Sequence, residues 1–170
     1  MILIWLIGII VLLFCLVVFF GAPYVPSHRR EVRRAFTKLR PLSDNDVVVD
    51  LGSGDGVVLR QAVLLGVGRA VGYELNPLLV AIAWVLSWRL RSKIQLRAAN
   101  MWQVTPPSDL TVVYLFGVGR DMSRIVRLLQ GWATSLDRPL HCIVYGHELP
   151  GVKVVRQEAA HRLYKFTPLH

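Results

Sequence analysis

Hydrophobic and polar positions along the chain change period three times. From Ile2 to Phe20 every residue is apolar apart from Gly8, and none is charged. A helix of about 19 such residues, rising ~1.5 Å per residue, just spans a hydrocarbon core of ~30 Å, so the run predicts one transmembrane helix. A cleaved signal peptide fits worse. Its apolar core is usually ~7–15 residues and follows a basic stretch, whereas no Lys or Arg precedes this run and "VVFFGAP" is a poor small-x-small cleavage site. Next comes a helical period in which Glu31, Arg34 and Lys38 fall on one side and Val32, Ala35, Phe36 and Leu39 on another.

Past the turn residues from Pro41 to Asp46, short apolar runs alternate with helical stretches. Strands are expected at Val47–Leu51, Ala70–Glu74, Ile94–Ala98, Leu110–Phe116 and His141–Tyr145. Helices are expected at Val57–Leu65, at Leu78–Leu90 with Pro77 in its first turn, and from about Asp121 to Leu136. Val152–Gln157 and His161–Thr167 lie close enough in sequence to pair as a C-terminal β-hairpin. Strands alternating with helices of these lengths predict an α/β fold with a doubly wound sheet. The expected division is a transmembrane anchor over 1–22, a basic juxtamembrane linker or helix over 23–43, and one α/β domain over 44–170.

Composition sharpens this picture at both ends. Of the 170 residues, 54% are hydrophobic and the mean hydropathy is +0.45, high for a domain without a membrane segment. The formal charge of +9 and a pI near 10.3 point to an anionic neighbour, lipid headgroups or nucleic acid. Arg29, Arg30, Arg33, Arg34, Lys38 and Arg40 follow the apolar run, opposed by Glu31 alone. With no cation before the run, the positive-inside rule puts the remainder of the chain in the cytoplasm. Those arginines would then meet anionic headgroups, each contributing ~1 kcal/mol. Two cysteines, Cys15 in the apolar run and Cys142 in a strand, make a poor disulfide pair and suggest a reducing compartment.

The candidate chemistry lies in "DLGSGDG", Asp50 to Gly56, at the end of the first strand. In open α/β sheets ligands bind at the carboxyl ends of strands, where the strand order reverses. Gly52, Gly54 and Gly56 let the backbone pass close to a ligand. The spacing is G-x-G-x-G, not the G-x-G-x-x-G of dinucleotide sites, and no G-K-[ST] follows as in a Walker loop. Asp50 and Asp55 would repel a pyrophosphate and attract a cation. Glu74 ends the second strand 20 residues beyond Gly54, where an acid accepts hydrogen bonds from ribose hydroxyls. A ribose-bearing, cationic, phosphate-free ligand is S-adenosylmethionine. Taken singly, Asp50 reads equally as a helix cap and Glu74 as an ordinary strand-end acid. No metal-ligand cluster is apparent.

These motifs resemble those of class I S-adenosylmethionine-dependent methyltransferases, whose first motif is D-x-G-x-G-x-G and whose second strand ends in an acid. "APYVPS" (Ala22–Ser27), "GYELNP" (Gly72–Pro77), "NMW" (Asn100–Trp102) and "VYLFGV" (Val113–Val118) narrow the resemblance. They are similar to segments of the membrane-anchored protein-lysine methyltransferases that act in mitochondria on a subunit of ATP synthase and on the adenine nucleotide translocase, and of their prokaryotic relatives. The resemblance implies a Rossmann-like, seven-stranded sheet preceded by the membrane helix. It implies that Asp50, Gly52, Ser53, Gly54, Asp55 and Gly56 hold the methionyl part of the cofactor, Glu74 the ribose with Asn76 shaping that corner, and Asn100 and Met101 the adenine. The family tends to have an Asp where this chain has Asn100, so a charge is lost there.

A lysine must reach the methyl group uncharged, which a dry aromatic channel favours by lowering its pKa. Tyr24, Pro26, Trp102 and Phe116 are candidates for that channel, although Trp102 and Phe116 read equally well as core and Tyr24 as an interfacial anchor. His141, His147 and Glu148 lie near the end of the fifth strand without a clear part as a base. Superfamily members acting on nucleic-acid or amide nitrogens carry [DN]-P-P-[YF] after the fourth strand; Leu115-Phe116-Gly117-Val118 departs from it, so nucleic acid is not expected. The expected partners are a membrane and a protein bearing the target lysine, at a prokaryotic inner membrane. A lipid or small-molecule methyltransferase and a non-catalytic cofactor-binding protein are the competing readings.

Overall fold

The computed structural model describes residues 3–9, 11, 28–117 and 119–169. Of the expected membrane helix, residues 3–9 and 11 are helical with exposed side chains, while 1, 2, 10 and 12–22 lie outside the described residues. Among the described residues no helix is long and apolar enough to cross a membrane.

The elements are α1 (Arg29–Lys38), β1 (Val47–Leu51), α2 (Val57–Leu64), β2 (Arg69–Glu74), α3 (Pro77–Leu86), β3 (Ile94–Ala98), β4 (Val112–Gly117), α4 (Met122–Ser135), β5 (Leu140–Gly146), β6 (Arg156–Glu158) and β7 (His161–Phe166). They follow the expected order closely. The third helix stops at Leu86, and a 3-10 turn over Trp88–Leu90 replaces its expected last turn. The first hairpin strand, Arg156–Glu158, overlaps the expected Val152–Gln157 only at Arg156 and Gln157.

The seven strands lie in the order β3-β2-β1-β4-β5-β7-β6. The first five are mutually parallel, and β7 runs antiparallel to both β5 and β6. All five residues of β1 are buried, as befits a strand covered on both sides. The chain steps outward from β1 to β3, then returns to β4 on the other flank of β1. Right-handed crossovers put the helices of those two halves on opposite faces.

The two cores record this division. Val49, Leu51, Val113 and Leu115 point toward α4, packing with Ile125, Leu129 and Trp132. Val48, Val112 and Tyr114 point the other way, onto α1 and α2. The apolar side of α1 (Val32, Ala35, Phe36, Leu39) is buried in that second core, so within the expected juxtamembrane linker or helix over 23–43, the helix α1 packs onto the sheet.

Asp46 fastens α1 to the sheet. Its buried carboxylate accepts bonds from both guanidinium nitrogens of Arg40 (3.1 and 2.6 Å), from the Ser43 amide (2.8 Å) and hydroxyl (2.9 Å), and from the Thr111 hydroxyl at the start of β4 (2.9 Å). Burial opposes its charge, but Arg40, Ser43 and Thr111 outweigh burial and hold its pKa below the ordinary value. An acid lowered in this way stabilises the fold above its unfolded pKa and loses that contribution as pH falls through the folded one. Replacing Asp46 with Ala should therefore cost roughly 2–4 kcal/mol at neutral pH, as for a buried charge-assisted network. In urea unfolding the difference from the parent should shrink as the pH drops below about 4.

Candidate active site

The loop after β1 folds over the end of β2. Gly52, Gly54 and Gly56 take φ of +86°, +51° and +78°, the left-handed region that other residues avoid. Gly56 also precedes the first turn of α2, so the loop turns directly into that helix. The close approach requires a fourth glycine, to which the sequence reading gave no role beyond opening "GYELNP". Gly72, in the middle of β2, lies beneath the loop, and a Cβ there would fall 2.6 Å from both Ser53 Oγ and Leu59 Cδ1. A glycine inside a strand is the sequence signal for such contact.

Most of the loop's described amides are used within the protein. Gly52 N and Ser53 N both donate to Tyr73 O (2.9 and 3.1 Å), Gly56 N donates to Ser53 O (2.8 Å), and Gly54 N donates to Glu74 Oε2 (2.9 Å). The other oxygen of Glu74 accepts from Asn76 N (2.8 Å), and Asn76 Oδ1 in turn caps α3 by accepting from Leu78 N (2.9 Å). One acidic side chain thus joins the loop, the end of β2 and the start of α3. Such a loop lacks the array of free N–H groups that holds a phosphate.

Carboxylates dominate the field here. Asp50 sits in β1, in register with Gly72 of β2 and Tyr114 of β4, and is 3% exposed. Burial pushes its carboxyl well above the usual range, with repulsion from Glu74 and Asp55 adding to the effect. Asp55 is partly committed elsewhere. Its Oδ1 accepts from Val57 N (3.2 Å), and its Oδ2 pairs with Arg60 (3.2 Å), whose guanidinium also donates to the Asp55 carbonyl. Arg60 is the single charged residue in α2, buried and turned back onto the loop, and the sequence reading did not single it out. Its signal was a cation in an otherwise apolar helix opening. Ser53 Oγ is buried and has no partner among the described residues.

The remaining candidates are distributed more widely. Asn100 follows β3, and its Oδ1 accepts from Trp102 N (3.1 Å), an Asx turn. Met101 and Trp102 pack against the α4-side core, and Arg124 of α4 stacks 4.0 Å from the centroid of the Trp102 ring. Phe116 of β4 stands on the opposite side of the sheet, its ring 5.6 Å from Tyr145. The sheet therefore separates Trp102 from Phe116, two residues expected in one channel. Tyr24 and Pro26 lie outside the described residues. His147 packs beside Gly119 just after β4 (3.5 Å from where a Cβ would stand), and Glu148 is engaged by Arg162. His141, at the opposite end of β5, pairs in register with Val112 at the start of β4, away from this site. Among the described residues no group of metal-ligating side chains is found.

Known proteins resemble this arrangement. The family model described as the ANTKMT methyltransferase domain matches residues 50–156. A lysine N-methyltransferase of Xenopus laevis, named for an ATP synthase subunit, is 34% identical over 122 residues, covering 71% of this chain and 52% of that protein. A protein-lysine N-methyltransferase of Saccharolobus islandicus (strain REY15A) is 33% identical over 97 residues, covering 55% of this chain and 59% of that one. The chain spans about half the length of the curated relatives it matches. Among solved structures, an RNA methyltransferase from Salinibacter ruber in complex with S-adenosyl-L-homocysteine superimposes with a TM-score of 0.71. That match covers 86% of this chain and 95% of the other at 24% identity, a likeness of fold.

The raised pKa of Asp50 has a consequence for stability. An acid that ionises less readily in the fold than in the unfolded chain costs stability as pH rises from about 4 through its folded pKa. Replacing Asp50 with Asn removes that cost. The variant should melt above the parent near pH 8, by roughly 2–4 °C for each kcal/mol relieved, and the gap should close toward pH 4. A lower melting temperature for the variant near pH 8 would mean that the ionised carboxylate is stabilised in the fold.

Proposed function

Since the chain belongs to the ANTKMT methyltransferase domain family, we propose that it is a membrane-tethered, S-adenosylmethionine-dependent methyltransferase acting on lysines of small membrane proteins. The observation that carries the cofactor is the pairing of three carboxylates, Asp50, Asp55 and Glu74, with a glycine loop whose amides are largely spent internally. That site suits a cation and a ribose and disfavours a phosphate. The buried Ser53 hydroxyl and the tight stacking of the loop on Gly72 fit the same ligand.

Bound there, S-adenosylmethionine supplies a methyl group already activated by the sulfonium. The chain's residues then contribute position, charge and dryness. Asp50 and the loop from Gly52 to Gly56 face the methionyl part, and a cation beside Asp50 favours its ionised form. Glu74 keeps free lone pairs for ribose hydroxyls while its bonds to Gly54 and Asn76 fix its direction. Asn100 Oδ1 has a second lone pair beyond its bond to Trp102, sufficient for one adenine N–H, with Met101 beside it. Trp102, just past the end of β3 and braced by Arg124 over its ring, is the aromatic residue past which a lysine approaches and sheds its proton.

Lysine as the acceptor is supported by relatives named lysine N-methyltransferases. The membrane tether is supported by the uncharged run from Ile2 to Phe20, apolar apart from Gly8, and by the exposed apolar side chains of Leu3, Ile4, Trp5, Leu6, Ile7, Ile9 and Val11. The cations from Arg29 onward favour a cytoplasmic catalytic unit at a prokaryotic inner membrane.

The purified full chain, incubated with methyl-labelled S-adenosylmethionine and a membrane fraction, should place label on lysine, read by mass spectrometry of tryptic peptides. Glu74→Gln, which keeps an oxygen acceptor for a backbone amide but loses the charge, should reduce transfer by roughly 10–100-fold while circular dichroism stays that of the parent, as expected for a charge-assisted bond lost. Label in the lipid extract would turn the assignment to a lipid methyltransferase, and binding without any transfer to a non-catalytic cofactor protein. Asp50→Asn should weaken S-adenosylmethionine binding more than binding of the uncharged S-adenosylhomocysteine, by calorimetry. Equal losses would remove Asp50 as the countercharge.

A further inference from the structure

Helix α3, "PLLVAIAWVL", contains no polar side chain. A helix on the rim of a sheet normally buries one stripe and turns polar residues outward. Here the stripe toward the protein is narrow: Ala83 is the buried residue of the helix, lying beside Gly56 at the start of α2. The outward side, which should be polar, presents Leu78, Ala81, Ile82 and Val85, with Trp84 and Leu86 on its flanks. Val85 is 64% exposed and Trp84 52%. Contiguous exposed apolar surface of this kind marks an interaction site.

The surroundings indicate what covers it. Residues 75–108 hold four cations (Arg89, Arg91, Lys93 and Arg97) and no carboxylate. Trp84 and Trp88 meet edge to face at 4.8 Å, and Arg91 lies 3.9 Å over the Trp88 ring. A groove of about 680 Å³ runs between the end of α3 and the edge strand β3, lined by Trp84, Ser87, Arg91, Ser92 and Arg97 among others. An apolar helix face bordered by tryptophans and then by arginine and lysine is the sequence of chemistries found across a membrane interface: acyl chain, carbonyl level, phosphate. A second copy of the chain fits poorly, because an isologous contact would set these four cations against their own duplicates.

We infer that α3 and the turn after it lie in the surface of an anionic phospholipid bilayer, with Leu78, Ile82, Trp84 and Val85 among the acyl chains and Arg89, Arg91, Lys93 and Arg97 at the phosphates. The inference rests on the membrane-tethered reading above and adds a second contact to it. Helices α1 and α3 flank α2 on one side of the sheet. Arg29, Arg30 and Arg33 of α1 are exposed on that side, adding to its positive charge, and Glu74 ties the glycine loop to the start of α3. A side chain emerging from the bilayer at that level would meet the site without the enzyme leaving the membrane.

The test uses full chain bound to vesicles of 3:1 phosphatidylcholine and phosphatidylglycerol, with the phosphatidylcholine brominated on its acyl chains. Cosedimentation reads the tether, and bromine quenching of tryptophan emission reads contact by α3. A Trp5→Phe background removes the N-terminal reporter. In that background quenching should persist, and adding Trp84→Phe and Trp88→Phe should abolish it while cosedimentation is unchanged. Replacing phosphatidylglycerol with phosphatidylcholine, or Arg89, Arg91 and Lys93 with Gln, should cut the quenching severalfold. Vesicle-bound protein whose Trp84 and Trp88 emission is not quenched overturns the inference and leaves the tether standing. Protein that stays in the supernatant overturns both. Emission that shifts to the blue with protein concentration in the absence of lipid assigns the face to a second copy and overturns the lipid reading.

Discussion

The carboxylate of Glu74 is the interaction on which the site depends. With one oxygen it takes the amide of Gly54, and with the other the amide of Asn76. The first bond draws the glycine loop over Gly72. The second starts α3 through the Asn76 cap. Removing this side chain would leave two amides without their partner and disconnect the loop after β1 from the helix after β2. That arrangement explains why an acid stands where the strand ends: an amide or hydroxyl there has fewer acceptor lone pairs and no charge with which to hold two backbone donors and still meet a ligand.

The same economy sets the electrostatics. Loops that bind phosphate leave their N–H groups free, and this one turns several of them inward, toward Tyr73, Ser53 and Glu74. Beside it lies a buried Asp50 whose charge is disfavoured by burial and by its acidic neighbours. Arg60 offsets part of the negative field by holding Asp55. The balance selects for a positively charged ligand, because such a ligand relieves the repulsion that the fold carries without it.

Polarity is inverted in one other place, the outward side of α3. The helix layer on that side of the sheet changes character along its width, from the exposed arginines of α1 to the bare leucine, isoleucine, valine and tryptophan of α3. In the membrane contact proposed above, α1 would supply charge and α3 depth, and the loop joined to α3 would be oriented along with it.

By itself the sequence determined the order and type of the elements, because strands buried on both sides and helices buried on one leave periods that can be read without a fold. It also determined the cofactor motif, since Asp50, the alternating glycines and Glu74 lie within 25 residues and local chain geometry brings them together. Arg60 and Gly72 carried weaker signals, a lone cation and a lone glycine, whose meaning lies in what they touch. Only the tertiary structure decided the rest. Side-chain alternation in β4 and the packing after β3 put Phe116 and Trp102 on opposite sides of the sheet, which proximity to strand ends does not reveal. The apolar composition of α3 does not say what covers it; the sheet order places β3 at the edge, and among the described residues no further strand lies beyond it. Composition sets what a helix prefers to touch; the neighbours available to it are fixed by the order in which distant strands assemble.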